Sequence, residues 1–156
     1  MPAILYGGNP RVAWGCTNNI CSQRDMYQER TDPAHPGAYF YNGEWEPGRE
    51  IEETIKVKNA ESVNKTIRFS RNGPIVDEIL PPAARKTGPV SLRWLGRYAG
   101  GWLTGLLKMN RAESVESLIA ATEPWQVPTW SIVAADDQGH IGFKATGRIP
   151  LRAVWE

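Results

Sequence analysis

Charge of one sign is what this 156-residue sequence lacks: 18 Lys and Arg stand against 17 Asp and Glu, a net charge of +1. A chain so balanced has no global field to draw it to nucleic acid or to an anionic membrane surface. Its basic residues are interleaved with acids rather than gathered into a patch, which argues further against nucleic-acid partners. Histidine and cysteine are scarce too, with only His35, His140, Cys16 and Cys21. Two cysteines five apart lack the tight ligand spacing of a zinc site and read as ordinary half-buried thiols. A disulfide between them is a matter of geometry that spacing leaves open. No apolar run approaches the roughly 20 residues that span a bilayer. The opening MPAILYGGNPR has no basic stretch followed by a long apolar one, so it does not read as a signal peptide.

The signatures of several enzyme classes are also missing. There is no G-x-S-x-G elbow for a Ser-His-Asp triad, no P-loop and no G-x-G-x-x-G fingerprint. Glu52-Glu53 and Asp136-Asp137 are adjacent pairs whose side chains diverge, which disfavours a two-carboxylate site. His35 sits in the turn composition D-P-A-H-P-G, and His140 lies in a hairpin arm beside a tight turn, so both read as structural. Pro2 is a separate alternative. With Met1 removed it would present a secondary amine of the kind tautomerase-like enzymes use as a base, but no recognisable motif supplies the arginine partner.

What is present points to β structure: 15 Gly, 12 Pro and 7 Trp in a turn-rich chain. AILY and RVAW read as short strands around Gly7-Gly8-Asn9-Pro10. DMYQER alternates towards a strand, and AYFYNGEWEP holds a hairpin turned by Asn42-Gly43. Ile51, Ile55 and Val57 alternate along a further strand, and two more are expected over Lys65–Ser70 and Ile75–Leu80. Leu103, Leu106 and Leu107, then Val115, Leu118 and Ile119, repeat with helical spacing. Ser114 with Ser117 offers no evident capping box, so Asn110 with Glu113 is the expected cap of the second helix. Ile132–Ala135 and Ile141–Ala145 close the chain as a hairpin around Asp136-Asp137-Gln138-Gly139.

The expected class is α+β, mainly antiparallel β: a β-roll flanked by two helices, with terminal hairpins from a larger sheet. Four segments follow: 1–24 as hairpin and loop, 25–95 as the β-roll, 96–127 as the helical segment and 128–156 as the return hairpin. The first and last hairpins are apolar on both faces, as central strands of a large sheet are. Left at an edge, such strands invite pairing with another copy. The chain therefore reads as a piece of something larger, with homo-oligomerisation as one consequence.

Four phrases, "MPAILYGGNPRVAWGCTN", "DMYQER", "SRNGPI" and "AADDQGHIGFKATGRIPLR", resemble in order the motifs of the penicillin acylase (penicillin amidase) family of N-terminal nucleophile hydrolases. That family shows G-x-N-x-x-x-A-W-G-x-T-N, an acidic D-x-Y-x-E strand, an R-x-G-P step and A-D-x-x-G-x-I followed by G-x-I-P-x-R. The resemblance covers almost the whole chain. It implies a hydrolase of C–N bonds other than peptide bonds, acting on a small acyl amide (penicillin side chain, cephalosporin or acyl-homoserine-lactone type). Its nucleophile would be an N-terminal serine whose own amine acts as base, with an oxyanion hole for the tetrahedral intermediate.

By the same resemblance the nucleophile lies upstream of Pro2 and a second oxyanion-hole residue beyond Glu156. This segment then forms one wall of the site, inactive by itself, and its partners are the upstream and downstream parts of the same precursor. The backbone N–H of Asn18 corresponds to an oxyanion-hole donor, and Leu5, Tyr6, Cys16 and Trp130 to positions lining the acyl pocket, with hydrophobic core as the plainer role for Leu5. Asp25 corresponds to a calcium ligand of some members, but Ser22 replaces the acid expected three residues earlier. A calcium ion needs six to eight oxygens with several carboxylates, so the expectation is no cofactor, with calcium at Asp25 the doubtful alternative and a solvated or salt-bridged strand residue the better reading. Ser131 stands where the family often has asparagine. The resemblance also implies a bacterial periplasmic or secreted enzyme and a place in antibiotic biosynthesis. A non-catalytic oligomerising β module is the competing reading.

Overall fold

The computed structural model describes residues 3–83 and 88–152. The chain divides into two compact units, Met1–Gln23 with Leu95–Glu156, and Arg24–Trp94. The class is α+β with antiparallel sheets throughout. Pro2 lies outside the described residues.

The first unit is a four-stranded sheet in the order β1-β2-β9-β10, made of β1 (Gly7–Gly8), β2 (Val12–Asn18), β9 (Trp130–Asp136) and β10 (Ile141–Thr146). The expected strand AILY is not formed: only Gly7 and Gly8 pair with β2. Residues 3–6 are held by side chains instead. β2 and β9 run antiparallel from Val12↔Asp136 to Asn18↔Trp130, and β9 and β10 from Ile141↔Ala135 to Thr146↔Trp130. The period of two puts Val12, Trp14, Ile132 and Ala134 on one buried face.

Two helices, α1 (Trp102–Met109) and α2 (Val115–Ala121), cover that face with Leu106, Met109 and Leu118, each at most 2% exposed. The helical layer packs on β9 and β10 within this unit. Gly142 permits the closest contact, since a Cβ there would fall 2.5 Å from Val115 Cγ1 and 2.9 Å from Ile119 Cδ1.

The expected cap of α2 is corrected. Ser114 is the N-cap: its Oγ accepts from Ser117 N–H at 3.1 Å, and Ser117 Oγ accepts from Ser114 N–H at 3.0 Å. A hydroxyl can replace the usual carboxylate or carboxamide of a capping box because the Ser114 N–H lies within its short reach. Asn110 instead ends α1.

On the sheet's other face Val133, Ile141 and Phe143 are 55%, 85% and 63% exposed. They surround an apolar depression of about 650 Å³ floored by Ala13 and Gly15. Apolar residues thus occupy both faces of these strands, and helices cover only one.

The second unit holds three two-stranded ladders: β3 (Arg24–Gln28) with β8 (Val90–Trp94), β4 (Ala38–Tyr41) with β5 (Glu44–Pro47), and β6 (Arg49–Ile55) with β7 (Val63–Phe69). The Asn42-Gly43 hairpin forms as expected, with Asn42 at φ 47° and Gly43 at 91°. Ile75–Leu80 is not a strand: Ile75 bridges to Ser91 and Asp77–Ile79 is a 3₁₀ turn. The odd-numbered apolar face of β6 is only half covered, with Ile51 intermediate and Ile55 53% exposed.

Glu29, Ser70, Asn72 and Ser91 are buried in this unit together with Tyr39 and Val90. Glu29, 9% exposed, accepts through Oε1 from Ser70 Oγ and Ser91 Oγ, both at 2.5 Å, and from Asn72 Nδ2 at 3.1 Å. These bonds tie the end of β3, the turn after β7 and strand β8 to one carboxylate.

Candidate active-site wall

The candidate pocket residues meet at one end of the first sheet. Leu5 carbonyl accepts from Trp14 Nε1 at 3.1 Å and from Cys16 Sγ at 3.4 Å, so the segment before β1 lies alongside β2 without a ladder. Leu5, Cys16 and Trp130 are partly buried against the core. Tyr6 is 58% exposed and stacks on Trp130, centroids 5.9 Å apart and planes 28° apart. Trp130 in turn lies 5.8 Å from Trp125, whose Nε1 donates to Pro128 carbonyl. The result is an aromatic and aliphatic surface with few polar atoms, suited to an acyl chain or ring.

Asn18 ends β2 directly across from Trp130. The direction of its backbone N–H follows from parity. Asn19 N–H donates to Thr129 carbonyl and Asp137 N–H to Arg11 carbonyl, so odd-numbered residues of β2 form the hydrogen-bonded pairs with β9. In an antiparallel ladder the alternate residues are non-hydrogen-bonded. The amide of Asn18 therefore points away from β9, towards the side of β2 where Leu5 lies, beyond the end of the short β1. A backbone N–H left over by its ladder is a donor available to an anionic oxygen.

Cys16 is no nucleophile in this setting. Burial pushes its thiol up to about 11, which leaves almost no thiolate at neutral pH. Cys16 and Cys21 are both free thiols.

Asp25 lies on β3 of the second unit, opposite Arg93 in the ladder with β8. Among the described residues no three His, Cys, Asp or Glu are gathered as a metal ion requires.

Several other acids and both histidines have local partners. Asp137 pairs with Arg11 at 2.8 Å, Glu52 accepts from Thr66, and His35 stacks on Trp45. Asp136 accepts from the backbone N–H groups of Val115, Gln138 and His140 and meets His140 Nδ1 at 3.1 Å. Burial alone would raise its carboxyl, but these hydrogen bonds overcome it and lower the group to about 2.

Two positioning residues escaped the sequence reading. Asn110 grips Ile4 on both sides, accepting from its N–H at 2.6 Å and donating to its carbonyl at 2.8 Å. That clamp sets the segment carrying Leu5 and Tyr6. Thr146 holds Trp130, its hydroxyl accepting from the Trp130 N–H at 3.3 Å and donating to the Trp130 carbonyl at 3.2 Å. Neither is visible in periodicity, because each acts across more than a dozen residues. The asparagine of G-x-N was a partial signal: Asn9 Oδ1 turns the chain at Arg11 and Val12, and its Nδ2 donates to Ala112 carbonyl.

Comparison with known proteins agrees with this architecture. The family model described as penicillin amidase matches residues 1–156. Acyl-homoserine lactone acylase QuiP of Pseudomonas aeruginosa is 30% identical over 97% of this chain and 19% of its own length. Penicillin G acylase of Escherichia coli is 29% identical over 97% of this chain and 17% of its own length. The thermostable penicillin G acylase from Alcaligenes faecalis superposes with a TM-score of 0.76 at 22% identity, over 94% of this chain and 26% of that one. The chain thus spans about a fifth of the length of the curated relatives it matches. With the family model matched from end to end and the fold shared, this chain is a member of the penicillin amidase family, a family of acyl-amide hydrolases.

Proposed function

We propose that this chain forms one wall of the active site of an acyl-amide hydrolase, and that other segments of the enzyme supply the nucleophilic serine and the remaining walls. The observation that carries the reading is the juxtaposition at the end of β2. The outward-directed amide of Asn18 sits opposite Trp130, whose ring stacks on Tyr6 beside Leu5 and Cys16.

In this mechanism the serine attacks the substrate carbonyl, and negative charge gathers on the carbonyl oxygen as the carbon becomes tetrahedral. A rigid N–H at the end of a paired strand stabilises that charge without reorganising. The apolar wall holds the acyl group and excludes water from one side. The uncovered sheet face around Ile141 and Phe143 is where the rest of the enzyme packs.

The test has two parts. The 156-residue chain alone should hydrolyse neither phenylacetyl nor long-chain acyl amides; serine-dependent turnover by it would sink the reading. Within the whole enzyme, Asn18→Pro removes the N–H and should lower kcat by roughly 10²- to 10³-fold with KM little changed. Asn18→Ala keeps the N–H and should stay active. Equal activity of the two variants would exclude Asn18 from the oxyanion hole. Sedimentation over a concentration series separates the competing oligomeric module, which would self-associate through the same open face.

A further inference from the structure

The chain contains two Asn-Gly steps, Asn42-Gly43 and Asn72-Gly73, and the fold treats them in opposite ways. Asn42 and Gly43 form the exposed tip between β4 and β5. Among the described residues the Asn42 side chain makes no hydrogen bond, and a Cβ built on Gly43 would meet nothing within 4 Å. Asn72 is 8% exposed, its Nδ2 donating to Glu29 Oε1 and its backbone N–H to Ser70 Oγ, both at 3.1 Å. Gly73 is wedged against β8: a Cβ there would fall 2.0 Å from the Leu92 carbonyl oxygen. The Gly73 carbonyl also accepts from Ser70 N–H at 3.0 Å.

A glycine after asparagine leaves its backbone nitrogen unhindered by any side chain, so that nitrogen can reach the asparagine carbonyl carbon. We propose that Asn42 is a site of spontaneous deamidation and that the buried network around Glu29 protects Asn72 from the same reaction. The Gly43 nitrogen gives up its proton to solvent base and attacks Asn42 Cγ. A new C–N bond closes a five-membered imide, the bond from Cγ to the side-chain nitrogen breaks, and ammonia leaves after taking a proton from water. Water then adds to one of the two imide carbonyls and reopens the ring, leaving aspartate or isoaspartate. One water is consumed, one ammonia is released, and nothing is oxidised or reduced.

Either product places a carboxylate at the hairpin tip. The isoaspartyl form also inserts a methylene into the main chain of a two-residue turn, whose register runs from Ala38↔Pro47 to Tyr41↔Glu44. Trp45 on that hairpin stacks on His35 and meets Phe40 edge-on, and these contacts would have to absorb the added length.

The experiment incubates the folded chain at mildly alkaline pH and follows both peptides by mass spectrometry, with isoaspartyl groups labelled by an isoaspartyl methyltransferase. A parallel incubation uses denaturant. In the folded chain Asn42 should convert at least roughly tenfold faster than Asn72, because Asn72 reacts only from locally opened molecules. In denaturant the two rates should converge. Equal rates in the folded chain, faster conversion at Asn72, a gap that persists in denaturant, or an inert Asn42 would each overturn the proposal.

Discussion

At the scale of single residues, side-chain amides and carboxylates do work that strand pairing does elsewhere in this chain. Ile4 has no ladder, and the Asn110 carboxamide stands in for one by satisfying its N–H and its carbonyl together. Asn110→Ala should therefore cost about 1–2 kcal/mol, the loss of two or three modest hydrogen bonds. Amide exchange at Ile4 should rise while that of β9 stays protected. Asp136 makes a second prediction, through pH. Its folded pKa of about 2 lies below the ordinary 3.8, so its contribution is complete above pH 3.8 and is lost as pH falls through about 2. Urea midpoints across that acid range should fall for the native chain and change less for Asp136→Asn. Parallel curves would remove Asp136 as the origin.

At the scale of elements, the sheet and its helices make contrasting demands at two positions. Leu118 is fully buried under the sheet, so Leu118→Ala leaves a cavity and should destabilise by about 2–5 kcal/mol. Gly142 has no room for a side chain beneath Val115 and Ile119. Gly142→Val should cost about 1–3 kcal/mol by overpacking, and α2 must shift to accommodate it. Thermal or urea melts measure both, and a neutral Gly142→Val would mean that α2 does not pack on β10 as described. The helices and the closing hairpin were legible because helical and two-residue periods mark buried faces directly. The AILY segment was misread because its alternation is real, with Ala3 and Leu5 on the core and Ile4 and Tyr6 exposed, but it lies on an irregular path that side chains maintain. The Ser114 cap was misread because Ser117 replaces the usual Glu or Gln.

At the scale of the whole molecule, the two units rest on different physics. The first has an apolar core of sheet and helices, whereas the second is centred on a hydrogen-bonded carboxylate. Glu29→Ala strands three buried donors and should cost about 3 kcal/mol. Amide exchange should rise across β3 and β8 and stay unchanged in β2 and β9; a uniform rise would show that the units do not open separately. The open face carrying Val133, Ile141 and Phe143 leaves apolar surface of the first unit uncovered. In the acyl-amide hydrolase proposed here it is covered by segments beyond this one.

The sequence by itself determined the antiparallel α+β class, the helices, the Asn42-Gly43 hairpin and, through motifs in order, the family. Each depends on local period, turn chemistry or residue order, which a linear chain displays. Only the tertiary structure decided that Leu5, Tyr6, Cys16 and Trp130 share one surface, that the Asn18 amide points away from β9, and that Asp25 falls opposite Arg93 in the register of β3 and β8. Those facts depend on strand parity and on hydrogen bonds between residues more than a hundred positions apart, such as Asn110 to Ile4. No period or spacing in a sequence records such pairings, because they exist only once the chain has closed on itself.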